Sequence, residues 1–281
     1  MFELALAEEA PRPVGAIMEA AGEDAWRTIP AENLLLIETP EGRITIYLSE
    51  ALAQDHVAQA RTLAKEGFYE GLSFYRVIDG FVAQGGDHAE TRELGSAKSP
   101  LKAEFEEAMP RNMLVTKFPY SDGFAPVVGY SDGLPVGIDG KTKTAWHLHC
   151  TGAFAYARNN EKDTASTEFY ITLQPQRYLD RNLTVLGRVI DGMSVAQAAP
   201  RGVVDGDPET DDFSERLRID AMHIAADLPE DERPSWQHMR TNGELFAELT
   251  AARAARPSEF FYFRPDYIDI CSMTVPVRPA P

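Results

Sequence analysis

The apolar segments of this chain are short, and that limits its fold more than anything else. "NLLLIET" (33–39) is apolar almost throughout, and "RITIYL" (43–48) alternates, with Ile44, Ile46 and Leu48 on one face. Gly42 lies between them in a turn sequence, so the two read as a hairpin. The same texture returns after residue 150 in "GAFAYAR", "EFYITL" and "TVLGRVI", with Phe169, Ile171 and Leu173 sharing a face. "LRIDAMHIAADL" (217–228) reads as a final strand. The connections are too short for repeated crossover helices, so the sheet is antiparallel. Many short strands with few helices predict an all-β barrel or sandwich.

Two helices punctuate this pattern. Ser49 suits a cap, Glu50 suits the positive helix end, and Ala53, Val57, Ala60 and Ala64 recur at helical spacing until Gly67. The second spans 243–255, with Leu245, Phe246 and Leu249 on one face.

Around the strands lie three other regions. Residues 1–32 are an acidic arm with Pro11, Pro13 and Pro30 and a short helix near Ala16 to Ala21. Residues 33–228 form the main domain, interrupted at 111–145 by a stretch rich in Gly, Asp, Ser and Pro. That stretch holds "YSDGF" at 120 and "YSDGL" at 130, and it reads as a surface insertion with two Asp-Gly turns. "VVDGDPETDDF" (203–213) is an acidic loop. Residues 229–281 are a C-terminal extension: a linker from Pro229 to Pro234, the helix, and a β-like tail whose aromatics are expected to cover an edge of the main body.

Composition removes some functions. With 27 Lys and Arg against 44 Asp and Glu, the net charge of −17 repels nucleic acid and anionic membrane surfaces. No apolar run reaches the roughly 18 residues of a membrane helix. Ala5-Leu6-Ala7 before Glu8 has the look of a signal-peptide end, though no basic region precedes it. Cys150 and Cys271 are the only cysteines. They are either two separate buried thiols or one disulfide tying the tail to the body, and a disulfide would need an oxidising compartment.

Searches for familiar catalytic patterns return nothing. G-x-S-x-G, H-E-x-x-H and a phosphate-binding loop are all missing. His147-x-His149 lacks a nearby third metal ligand, so both read as partly exposed histidines at a barrel end. The Asp-Gly turns lack the spaced acidic ligands of a calcium loop. No cofactor is expected.

One stretch remains, "FYEGLSFYRVIDGFVAQGGD" (68–87), with an arginine, a phenylalanine in a glycine-flanked turn, and a glutamine before two glycines. It closely resembles the signature of the cyclophilins, the peptidyl-prolyl cis-trans isomerases. "GAFAYARNNEKDTASTEFYITLQPQRYLDRNLTVLGRVIDGMSV" (152–195) resembles their second signature, in the right order. The resemblance covers about 33–226 and implies a mainly β fold. It is an eight-stranded antiparallel barrel capped by two helices, with a groove on its outer surface; here a C-terminal helix and tail are added.

The resemblance also implies site residues. Arg76 is the catalytic cation, Phe81 the aromatic that holds the proline ring, and Gln84 the group that positions the arginine. Val82, Ala157, Arg158, Glu168, Tyr170, Tyr178, Leu179 and Leu183 fall at substrate-binding positions. Several depart from the family's usual residues. Val82 stands for methionine, Arg158 for asparagine, Leu183 for histidine or tyrosine, and Tyr75 for histidine, with little effect expected. Glu168 stands for glutamine and is expected to pair with Arg158 or Arg76, weakening catalysis if it neutralises Arg76. Tyr178 stands where drug-sensitive members have tryptophan, so cyclosporin should bind weakly.

Two functions follow. The first is an isomerase acting on X-Pro bonds in peptides and unfolded proteins. The second is a catalytically weak proline-binding module or chaperone using the same groove. A periplasmic, monomeric protein of bacterial type is expected, with the cytoplasm as the alternative.

Overall fold

The structure, a computed structural model, describes residues 11–202 and 215–281. The expected acidic loop at 203–213 and the Ala5-Leu6-Ala7 feature therefore fall outside the described residues.

Eight strands form the main sheet: β1 (Leu34–Thr39), β2 (Gly42–Leu48), β3 (Ser73–Val77), β4 (Val82–Gly86), β5 (Ala153–Tyr156), β6 (Phe169–Thr172), β7 (Thr184–Asp191) and the split strand β8 (Leu217–Arg218 and Ala221–Ile224). All pairs are antiparallel, in the order β3-β4-β6-β5-β7-β2-β1. β8 joins the two edges. Its first part pairs with β3 and its second with β1, so the sheet curls until one extended segment closes it. Closure leaves no long unpaired edge.

Inside the barrel, Leu35, Ile37, Ile44, Ile46, Phe74, Phe154 and Phe169 form the core. β1 is apolar on both faces for a physical reason. Leu34 and Leu36 point the other way, into a second apolar layer with Ile29, Tyr47 and Leu134. A strand covered on both sides loses the polar half of its alternation.

Four α-helices are described: α1 (Val14–Glu19), α2 (Gln54–Lys65), α3 (Met193–Ala198) and α4 (Glu244–Ala255). α2 packs its Val57, Ala60, Leu63 and Ala64 stripe on the core, and α3 inserts Ala196. Ser49 does not cap α2. It precedes a short 3-10 turn at Glu50–Leu52, and the helix begins at Gln54. Its first amides are received instead by Glu104, distant in sequence, whose carboxylate accepts from the backbone of Asp55 and His56 at 3.0 Å each. Gly67 does end the helix, at φ +67.

The stretch expected as a surface insertion keeps exposed turns but also forms strands and supplies part of a second core. Around it Glu107–Ala108, Thr116–Lys117, Val127–Ser131, Leu134–Asp139 and Thr144–His147 make a five-stranded antiparallel sheet. Both Asp-Gly turns are present within it: Asp122 Oδ1 accepts from the amides of Phe124 and Ala125, and Asp132-Gly133 turns the central hairpin. Phe118, Val128, Tyr130 and Trp146 join Ile17 of the arm and Phe246, Leu249 and Ile270 of the extension in a second core. Trp26–Thr28, Trp236–Met239 and Val277–Pro279 add a three-stranded sheet from the two chain ends. A disulfide joins Cys150 to Cys271 across 121 residues.

The tail differs from expectation. Its only described strand is Val277–Pro279, and Phe260, Tyr262 and Phe263 face solvent rather than covering an edge.

Candidate active site

Arg76 lies on β3, opposite Gln84 on β4. The pairing reaches that register through a bulge. Ser73 is opposite Gly86, yet three residues later Arg76 is opposite Gln84, so β3 holds one residue more than its partner. Tyr75 and Arg76 thereby both serve the outer face of the barrel, while Phe74 stays in its core.

Gln84 is the hub of this pair. Its Oε1 accepts from Arg76 Nη1 at 3.1 Å, and its Nε2 donates to the Tyr75 hydroxyl. The Arg76 guanidinium sits 5.5 Å from the centre of the Phe81 ring. The Tyr75 ring stacks on His88, with centroids 4.8 Å apart. Tyr75, expected to matter little, therefore completes the chain that fixes the guanidinium. An aromatic with a polar tip beside the arginine is the sequence signal for that role, but only the bulge shows where the tip goes.

Next to the arginine lies an apolar wall. Val82, Ala153, Ala155, Tyr170 and Val185 cluster on the outer barrel face, with Phe81, Ala157 and Leu183 packed against them. Leu179 and Tyr178 come from the 3-10 turn Arg177–Leu179, and Tyr178 is 60% exposed. Gln176 Nε2 ties that turn to the β3–β4 connection through the carbonyl of Gly80, at 2.7 Å. The arginine, the aromatic and an apolar surface thus share one face. On the other side of Arg76 is an open cleft of about 780 Å³, lined by Tyr75, Gln84, Arg158, Thr167 and Glu168 among others.

Glu168 pairs with neither cation expected for it. Arg158 Nε donates to the carbonyl of Asn182 at 3.0 Å, its Nη1 to the carbonyl of Asn159 at 2.6 Å, and its guanidinium lies over the Phe105 ring. Arg76 is held by Gln84. Both Glu168 carboxylate oxygens are shielded from solvent, with Tyr75 and Gln84 as their polar neighbours. Burial first, opposed by the Tyr75 hydroxyl, and then the nearby Asp87 and Glu90 bring this carboxyl up to about 7. Gly86 makes the room: at φ +139, a Cβ there would come 2.4 Å from the carboxylate.

The two histidines are not partly exposed. His147 is buried with both ring nitrogens unpartnered, and burial pulls it down to about 4. His149 is fully buried and bonded at both nitrogens, to Asp180 and to the Tyr170 hydroxyl.

Comparison with known proteins gives the family of the chain. Residues 34–224 match the model of the cyclophilin type peptidyl-prolyl cis-trans isomerase family. A probable peptidyl-prolyl cis-trans isomerase of Brucella suis is 27% identical over 196 residues, spanning 67% of this chain and 79% of the relative. Peptidyl-prolyl cis-trans isomerase B of Bacillus subtilis is 32% identical over 162 residues, spanning 58% of this chain and 86% of the relative. Among solved structures, cyclophilin AquaCyp293 from Hirschia baltica superposes with a TM-score of 0.73 at 28% identity, covering 90% of this chain and 93% of that one. That span exceeds residues 34–224, so it reaches into the arm or the extension as well.

Proposed function

The chain belongs to the cyclophilin-type peptidyl-prolyl cis-trans isomerases, and we propose that the face built by Arg76, Phe81 and Gln84 is where it rotates X-Pro bonds. The observation that carries this reading is the hydrogen bond from Arg76 to Gln84 beside the apolar wall.

Prolyl isomerisation is rotation about a partial double bond with a barrier of about 20 kcal/mol. No covalent bond to the enzyme is needed. As the amide twists, its nitrogen loses resonance and gains a lone pair that can accept a hydrogen bond. The proline ring rests against Phe81, Val82, Tyr170 and Leu183, and Ala157 on the adjoining strand end supports substrate backbone. The Arg76 guanidinium donates to the prolyl nitrogen. Arginine is charged at every working pH, and Gln84 and Tyr75 fix it before the substrate arrives, so little reorganisation is needed at the transition state. Glu168 leaves this charge intact, because Arg76 is oriented by an amide and not by a carboxylate.

The substrates on this reading are proline-containing peptides and unfolded proteins, handled by a monomer. The Cys150–Cys271 disulfide supports an oxidising compartment, for which the periplasm is the proposal.

The test is the cis-to-trans rate of a short Ala-Pro-Phe peptide with wild type and with Arg76→Ala. Loss of on the order of 100-fold in kcat/KM, with an unchanged melting temperature, is expected. Equal rates for the two proteins would remove Arg76 from the reaction.

A further inference from the structure

Behind the apolar wall runs a buried chain of polar side chains that isomerisation, as described above, does not use. It begins at the Tyr170 hydroxyl, which lies 3.0 Å from His149 Nε2. His149 Nδ1 lies 3.0 Å from Asp180 Oδ1, and the same oxygen accepts the His149 backbone amide at 2.8 Å. Arg177 Nε donates to Asp180 Oδ2 at 2.7 Å. Arg177 then grips Asp122 with two parallel bonds of 2.8 and 2.9 Å. Asp122 belongs to the inserted stretch, so one continuous network joins the insertion to the wall of the groove.

The direction of the bonds follows from chemistry. A carboxylate only accepts, so Asp180 assigns the ring proton of a neutral His149 to Nδ1. Nε2 is then bare and accepts from the Tyr170 hydroxyl. This acceptor matters because Tyr170 is 4% exposed and its ring forms part of an apolar cluster. A phenol there without a partner would be a costly buried polar group. The direction in which it could find water is the open groove, where its ring would occupy the place of the proline.

We infer that His149 is a positioning residue for the proline pocket. By accepting the Tyr170 hydroxyl it fixes that ring as a wall and keeps the phenol oxygen out of the space the substrate needs. Asp180 holds the imidazole in the required tautomer. Arg177 and Asp122 hold Asp180 and, with it, the turn that carries Tyr178 and Leu179. The inference rests on the reading that this pocket receives the prolyl ring.

A double-mutant cycle tests it, because a merely structural histidine would not give the same pattern. KM and kcat for the Ala-Pro-Phe peptide are measured in wild type, His149→Ala, Tyr170→Phe and the double variant, each checked by thermal melting. His149→Ala is expected to raise KM about tenfold with a smaller change in kcat, the effect of one unsatisfied buried hydroxyl. Tyr170→Phe alone raises KM about threefold, as its ring loses one anchor. The double variant is expected to be no worse than Tyr170→Phe, because the hydroxyl that needed His149 is gone. A double variant as impaired as His149→Ala, or an unchanged KM in His149→Ala, overturns the inference.

If His149→Ala does not fold, the ring nitrogens of His149 decide by 15N NMR. A bare Nε2 whose signal moves in Tyr170→Phe supports the inference, and a protonated or unmoved Nε2 overturns it. Arg76→Ala in the same assay separates the two levels. If it loses activity while the His149 series stays flat, only the positioning role fails. If it keeps full activity, the reading of the groove fails and the positioning role with it.

Discussion

The barrel and the second core are both well packed, but they are assembled in opposite ways. Seven of the eight barrel strands lie between residues 34 and 191, and its hairpins join neighbours such as β1 with β2 and β3 with β4. The second core draws Ile17 from the arm, Phe118 to Tyr130 from the insertion, Trp146 to Cys150 from just after it, and Met239 to Val275 from the extension. Its pieces gain nothing from their order in the chain, so each contact must offset a long loop closure. The ties that do this are long-range: the disulfide, the Arg177–Asp122 pair, and a sheet that pairs Trp26–Thr28 with Trp236–Met239. One region holds the proposed site, and the other is held together by cross-links.

Removing the strongest cross-link should separate the two regions most clearly. Replacing Cys150 and Cys271 by serine is expected to cost about 4 kcal/mol, from the loop of 121 residues it closes. Denaturant melts measure this, and the folded fraction should keep most of its isomerase rate. A proportional loss of rate would mean that the groove cannot stand without the second core. Asp122→Asn comes next, at about 3 kcal/mol, because it takes one partner from a pair that is 3–5% exposed. Arg177 keeps Asp180, so the variant should still fold.

On the barrel side, Glu168 gives a smaller effect with a definite pH signature. Its folded value of about 7 lies above the ordinary 4.5, so it binds a proton more tightly when folded. Its contribution to stability is therefore fully present below about pH 4.5 and is lost as pH rises through about 7. Glu168→Gln should gain about 3 kcal/mol at pH 8 and almost nothing at pH 4. Melting curves at the two pH values check it, and equal gains at both would show that ionisation is not the cause. The smallest effect belongs to the exposed tail. Phe263→Ser should change stability by less than about 0.5 kcal/mol, since the ring is 79% exposed.

The same contrast governs what could be read from the chain. β2 alternates with a period of two because one face meets the barrel core, and that pattern is local enough to see in six letters. Arg76, Phe81 and Gln84 were named through the family resemblance, which shows in one short stretch because they lie within nine positions of one another. The second core had no such period. Trp146, Tyr130 and Phe246 are widely separated in sequence, and the Gly and Asp of 111–145 mark turns between buried strands as readily as turns in a surface loop. His149 was misread for a similar reason. Its partners Asp180 and Tyr170 lie 31 and 21 residues away, so no local pattern marks it as bonded on both sides. Glu168 was matched to cations by charge alone, whereas both candidate arginines had nearer acceptors.

The extra residue in β3 has a consequence for what a one-codon deletion in the gene would take from the strand. Counting regularly from Ser73 opposite Gly86 would set Tyr75 against Gln84 and Arg76 against Ala83, whose side chain belongs to the barrel interior. Deleting one codon, that of Phe74 or Tyr75, would remove the bulge and restore a regular ladder with Arg76 still opposite Gln84. The arginine would keep its place on the outer face, and the strand would lose either the core ring of Phe74 or the hydroxyl that receives Gln84 Nε2. The extra residue is what lets one short strand supply a core ring, that hydroxyl and the guanidinium together.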